Sequence, residues 1–556
     1  MNPRMKLLPL MLLAISHGAV AQQLPGAGSQ LRQLPTPPPA QAAQPQIRIE
    51  DGIAPAAAAA DAPTVLVERL QVTGASAWPA SELVAIAGFA PGSRLTLAQL
   101  QAMAARITRH YRDNGYFVAR AWLPAQDITS NTVTIAVSEG VLGQVTLRNQ
   151  SNLADDVAHS RLAGLAPGDA LTIDPIEQRL LLLSDIPGVV VQSTMVPGQA
   201  PGSSDLVVDI TPGRRVTGSV DADNAGNPYT GEYRLGATVN LNNPLGRGDV
   251  ASLRLLTSGS GLTYGRGAYQ MLFGRATAGV AFSRLEYELG EQYDGLGAHG
   301  TADIASVFGS IPLIRSRETN LYAGLQYDHR RFEDRIDLFD VVTDKRARVA
   351  TASLYGNHYD SFGGGGANAF HLALSSGDLD IQTPSARAVD DVTARAHGGY
   401  TRLAFNVSRL QRLTDLWSLY GALGGQVASG NLDASEKLVL GGMDGVRAYP
   451  QGEGFGDEGL LANLEVRRLL PGLSGHVPGQ VHLLGFVDGG RITVDKDPWF
   501  AGDNTRSLGG AGIGATWDDP GNFAVRSYYA RKLGGEDAIS APDRSGRFWI
   551  QAIKYF

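Results

Sequence analysis

The sequence contains no cysteine, which excludes disulfides, thiolate metal ligands and cysteine nucleophiles. Beyond its N-terminus it lacks any run of about 18 apolar residues, which argues against a helical membrane protein. Charge is sparse, at 18% of residues, and 54 acidic groups outnumber 47 basic ones to give −7. An acidic chain of this kind is not expected to bind nucleic acid. None of the ten histidines falls in a His-Glu-x-x-His pattern, and no G-x-S-x-G or Walker sequence occurs. No enzymatic activity, cofactor or metal is therefore expected. What is present is length and glycine. The 556 residues exceed one ordinary core, 43% of them are hydrophobic, and 68 glycines suit a chain of many strands and turns.

Arg4 and Lys6 precede an apolar stretch at 7–15, and Ala19-Val-Ala21 supplies a small-x-small cleavage site. Residues 1–21 read as a secretory signal peptide, too short to span a membrane. Residues 22–61 are rich in Gln, Pro and Ala, as in Leu34-Pro-Thr-Pro-Pro-Pro39. Such a stretch buries little surface and reads as a linker.

Residues 62–212 hold two units of similar plan, each reading strand, helix, helix, strand, strand. In the first (62–140), Thr96-Leu-Ala-Gln99 forms a capping box. The helix it opens carries Leu100, Ala104, Ile107 and Tyr111 on one face and stops at Gly115. In the second (141–212), Asp174-Pro-Ile-Glu177 reads as another capping box with Pro175 at the first helical position.

From 213 to 556 the helical period fades and two-residue alternation takes over. Leu235, Ala237, Val239 and Leu241 alternate with Arg234, Thr238 and Asn240; Leu321, Ala323, Leu325 and Tyr327 alternate with Tyr322, Gln326 and Asp328. Leu460, Ala462, Leu464 and Val466 follow the same rule. A soluble sandwich shares this period. The signal peptide and about 16 segments of roughly ten residues favour a closed membrane barrel, whose apolar face meets lipid. Closure is required because an open sheet edge in lipid leaves backbone groups unpaired. The last strand, Arg547-Phe-Trp-Ile-Gln-Ala-Ile-Lys-Tyr-Phe556, ends like that of an outer-membrane barrel, which implies that Phe556 is an assembly signal. Lys554 breaks its outward apolar face and is expected to snorkel. Asp221, Asp223 and Gly226 lack the spacing of an EF-hand and read as a turn. Gly510, Gly512 and Gly514 alternate within a strand and read as keeping its lumen face small.

Local motifs add a family resemblance. The barrel opens with Asp223-Asn-Ala-Gly-Asn-Pro-Tyr-Thr-Gly-Glu-Tyr-Arg234, followed by Asn242-Asn-Pro-Leu-Gly-Arg-Gly-Asp249. Val446-Arg447-Ala448-Tyr449 lies in a long segment at 431–458, and Phe486-Val-Asp488-Gly-Gly490 in a later strand. With two POTRA-like units ahead, the chain resembles the two-partner secretion transporters (TpsB family). The resemblance implies α+β periplasmic POTRA domains followed by an all-β transmembrane barrel of about 16 antiparallel strands. It implies an outer-membrane protein, a monomer, whose POTRA domains bind a large exoprotein through its N-terminal secretion domain. Outer-membrane lipid and the barrel assembly machinery are the other implied partners. It further implies that the 431–458 loop folds inward, that Arg447 meets Asp488, and that a short helix within 22–61 can plug the pore. Ala448 stands where the family motif has glycine, so a positive φ at that position would strain it. An assembly factor for barrel proteins and a passive porin remain as alternatives.

Overall fold

The computed structural model describes residues 24–35, 46–49, 63–128, 130–474 and 477–556. The expected signal peptide and most of the linker lie outside them. The chain forms two compact units, one of residues 42–215 with 245–248, the other of the remainder.

The first unit contains both modules. In the first module, strand Arg69–Thr73 pairs parallel with Thr132–Ser138, which pairs antiparallel with Arg120–Trp122. Helices Ala80–Ala87 and Leu97–Asp113 cover this sheet. Thr96 caps the longer helix: its hydroxyl accepts from the Gln99 amide, and the Gln99 side chain returns to the Thr96 amide at 2.8 Å. Leu100, Ala104, Ile107 and Tyr111 are buried against Val133 and Ile135, as their spacing requires. A carboxylate ties the module's start to its end. Glu139 accepts from the amides of Ser76 and Ala77 at 2.6 and 2.7 Å and from the Tyr111 hydroxyl at 2.7 Å.

In the second module, strand Val189–Pro197 pairs with Ser203–Pro212, which pairs parallel with Val141–Asn149. Helices Asp155–Leu162 and Ile173–Ser184 complete it. The expected capping box at Asp174 is not formed. The helix starts two residues earlier, with Thr172 at the cap and no side-chain cap bond. Pro175 is thus the third helical residue, tolerated because first-turn amides have no acceptor within the helix. A strand that the sequence pattern did not announce, Gln46–Ile49 of the linker, pairs parallel with the outer edge of Val189–Pro197.

The second unit is a closed barrel of 16 strands, running from Val216–Asp223 to Gly546–Tyr555. All neighbours are antiparallel. First and last strands close it through five registered pairs, from Ser219↔Tyr555 to Asp223↔Gln551. Leu235, Val239, Leu325, Leu460, Leu464 and Val466 project outward and exposed, which is stable only where hydrocarbon replaces water. The strands are uneven. Val216–Asp223 has 8 residues and Val341–Asp360 has 20, so one side extends past the uniform ten-residue expectation. Phe556 closes the seam by exchanging backbone hydrogen bonds with Gly218 at 3.1 Å in each direction. Lys554 reaches the turn residue Asn522, keeping its ammonium out of the apolar band.

Candidate functional site

The lumen is filled by two segments. The first is the long segment between strands Trp417–Ala428 and Glu458–Leu469, which folds inward. Its tip carries Val446, Arg447, Ala448 and Tyr449, all buried. Asp488 stands on the lumen face of strand Gln480–Thr493, because Val487 and Leu483 on the alternate positions point outward. Arg447 and Asp488 meet. The guanidinium donates from Nε to Oδ2 at 2.8 Å and from Nη2 to Oδ1 at 2.7 Å, and the Arg447 amide donates to Oδ2 at 3.1 Å. This forked geometry is the strong form of the pair.

A second carboxylate, absent from the motif reading, shares the arginine. Arg447 Nη1 donates to Glu465 Oε1 at 2.7 Å, and Arg467 pairs with the other oxygen of Glu465 at 2.6 Å. Glu465 lies two positions from Asn463, which donates to Asp488 at 2.9 Å and to the Gly445 carbonyl at 3.1 Å. Phe486 lies beneath the guanidinium, 3.5 Å from its carbon to the ring centre, with Tyr528 at 4.9 Å. Trp549 donates its indole N–H to the Arg447 carbonyl at 2.7 Å. The only sequence signal for Glu465 was its place between Asn463 and Arg467 on the odd-numbered face of a strand whose even-numbered residues, Leu460, Leu464 and Val466, are apolar.

Ala448 is not in the left-handed region, so its replacement of glycine brings no strain. It packs on Gly510, where an added Cβ would stand 2.7 Å from the Cβ of Ala448. Gly512 and Gly514 likewise make room for the rings of Phe486 and Tyr528. Gly490 would meet Leu440 of the loop at 2.8 Å. The glycines of these two strands thus form the seat of the loop. Further ion pairs fix its shoulders. Glu436 binds Arg330 at 2.5 Å and Arg402 at 2.7 Å, Lys437 binds Asp495 at 2.9 Å, and Glu453 binds Arg506. Asp221 pairs with Arg254, and Asp223 Oδ1 accepts from Arg234 Nε at 2.8 Å.

The second segment is a helix, Ala27–Arg32, held within the barrel. Its first amide donates to Asp334 Oδ1 at 2.7 Å, and the same oxygen accepts from the Tyr287 hydroxyl at 2.8 Å. Arg32 donates to the Lys437 carbonyl at 3.1 Å, linking helix to loop. Arg234 and Asn227 hold Gln33 at 3.1 and 2.9 Å.

A filled sixteen-stranded barrel with an inward loop and preceding POTRA-like modules defines a class: outer-membrane proteins that handle polypeptides. The comparisons narrow it. Residues 202–517 match the family model of haemolysin secretion/activation proteins ShlB/FhaC/HecB, and 65–140 match the ShlB-type POTRA domain. The heme/hemopexin transporter protein HuxB of Haemophilus influenzae is 30% identical over 475 residues, covering 84% of this chain and 82% of that one. The outer membrane transporter CdiB of Dickeya dadantii is 26% identical, over 76% and 74% of the two chains. In fold, the chain is similar to CdiB from Escherichia coli, with a TM-score of 0.66 at 22% identity over 91% and 93% of the chains. It is also similar to BamA from Haemophilus ducreyi lacking POTRA domains 1–3, at a TM-score of 0.53 and 16% identity over 88% and 100%. The chain belongs to the ShlB/FhaC/HecB family. It is an outer-membrane transporter of two-partner secretion, with its N-terminal modules in the periplasm. The assembly-factor and porin alternatives are not favoured.

Proposed function

We propose that the second module receives the N-terminal region of a large exoprotein as an added β-strand on Val189–Pro197. The observation that carries this reading is the linker strand Gln46–Ile49, which already pairs with that edge from Gln46↔Gln192 to Ile49↔Met195. An edge that accepts one extended segment is competent for another, through backbone hydrogen bonds that need little sequence matching. The linker and the exoprotein then compete. Displacement of the linker couples to the pore because the same linker continues from the helix held in the lumen. The Arg447 cluster keeps the loop in place at rest, and export requires the helix and loop to yield. Exit carries no nucleotide motif, so folding of the exoprotein outside supplies the direction. A partner unable to fold outside, yet secreted at an undiminished rate, contradicts that drive.

Replacing residues 46–49 by Gly-Ser-Gly-Ser tests the competition. The reading predicts tighter binding of the exoprotein's N-terminal domain to the purified chain. Unchanged or weaker binding refutes it.

A further inference from the structure

The outward wall of the barrel carries a charge arrangement that the transport mechanism does not use. On strand Thr319–Ile336, Asp328 and Phe332 are buried in the lumen, so odd-numbered positions face out. They run Leu321, Ala323, Leu325, Tyr327 and then change to His329 and Arg331. On the neighbour Val341–Asp360, Ala347 and Val349 are buried, so even positions face out. There Leu354, Ala352 and Ala350 give way to Arg348 and Arg346. The change falls at one level, because Tyr327 pairs with Ala350, His329 with Arg348 and Arg331 with Arg346.

That level is the edge of the hydrocarbon. Ten residue steps separate His358 from Arg348; at about 3.4 Å each and a tilt of about 40° they span roughly 26 Å, against an apolar band of about 25 Å. The basic block lies toward the barrel end that carries the long loops and opposite both barrel termini, which is the outer leaflet.

Like charges directly opposite each other on paired strands are destabilising. Here two such pairs stack, Arg331 against Arg346 and His329 against Arg348. Asp303, Asp380 and Asp378 face Arg331, Arg346 and Arg348 from the flanking strands. Asp303 is engaged by Arg284 at 3.2 Å. Among the described residues, none of the three arginines forms an ion pair with these carboxylates. An external anion relieves this arrangement, and guanidinium pairs suit a phosphate, which accepts bidentate bonds. Directly below the block the wall is grooved. Small residues at Gly309, Ala350 and Ala352 leave a cleft of about 580 Å³ bordered by Leu325, Tyr327 and Leu374.

We propose that His329, Arg331, Arg346 and Arg348 bind the phosphate groups of an outer-leaflet glycolipid of the lipid A type, whose acyl chain lies in this groove. The proposal rests on the outer-membrane location alone and not on exoprotein recognition, so its test uses no secretion readout. The full-length protein, exchanged into detergent free of native lipid, is titrated with bis-phosphorylated lipid A, with the same lipid after phosphatase treatment, and with inorganic phosphate. Native mass spectrometry reads the bound fraction. The site predicts tight lipid A binding, at least tenfold weaker binding of the dephosphorylated lipid, and no inorganic phosphate bound at the same concentration. The R331Q/R346Q/R348Q variant is expected to lose at least tenfold for lipid A, while the charge-matched R94Q/R109Q/R112Q variant in the first module loses nothing. Equal binding of phosphorylated and dephosphorylated lipid, or equal binding by the triple variant, overturns the proposal. Inorganic phosphate binding as tightly as lipid A overturns the lipid as its source. If the triple variant fails to insert, the phosphatase comparison on the unaltered chain still decides.

Discussion

Replacing Arg447 by alanine removes three hydrogen bonds to carboxylates and the cation stacked on Phe486. Breaking a buried pair from one side costs about 3–5 kcal/mol, because the partner charge stays buried and unpaired. Glu465 keeps Arg467, and Asp488 keeps Asn463, so the lower figure applies. At 1.4 kcal/mol per decade, about 3 kcal/mol raises the loop-released population roughly 100-fold. The absence of native cysteine makes this measurable. Val446 is fully buried beside the arginine, and Val446→Cys gives the chain a single thiol. When the loop recloses faster than the reagent reacts, labelling by a membrane-impermeant maleimide tracks the released fraction. The expected result is labelling about 100-fold faster in Val446→Cys/Arg447→Ala than in Val446→Cys, with barrel insertion intact and secretion sharply lowered. A ratio below about threefold refutes the claim that this cluster anchors the loop.

Other perturbations probe neighbouring links. Gly510→Val places its Cβ against Ala448; overpacking of about 1–3 kcal/mol should speed Val446→Cys labelling by about 5- to 100-fold. Asp334→Ala removes the acceptor shared by the lumen helix and Tyr287, so the steady conductance of the reconstituted barrel should rise; unchanged conductance removes the helix as a plug. Glu139 gives a pH signature in the first module. Burial raises its pKa, but the Ala77 and Ser76 amides and the Ser76 and Tyr111 hydroxyls outweigh burial and hold it below the ordinary glutamate value of 4.5. A depressed folded pKa means stability present above the unfolded value and lost as pH falls through the folded one. Urea unfolding of the 62–212 fragment should therefore show its advantage over Glu139→Gln shrinking below about pH 4.5, and an advantage that grows on acidification would contradict the assignment.

Alternation made the barrel legible, since every outward Leu or Val implies an inward neighbour once closure is required. The meeting of Arg447 and Asp488 was legible only through the family resemblance that the local motifs carry, since an arginine in a loop and an aspartate in a strand do not by themselves announce a pair. Glu465 was not, as a charge on a lumen face reads the same whether it meets water or an arginine. The residues themselves carried no signal for the strand Gln46–Ile49, and a helix such as Ala27–Arg32 was expected only through the family resemblance. Neither has a periodic core face, and both owe their form to the surface that receives them. The second helix of the second module misled because Asp174 and Pro175 are good first-turn residues at more than one register.

The central claim is that the periplasmic modules select one exoprotein for export. The direct measurement uses residues 62–212 as bait in a periplasmic extract of the source cells, with captured chains identified by mass spectrometry. The account predicts one large exported protein, held through its N-terminal region. A mixture of unfolded barrel proteins would contradict it and point to an assembly factor.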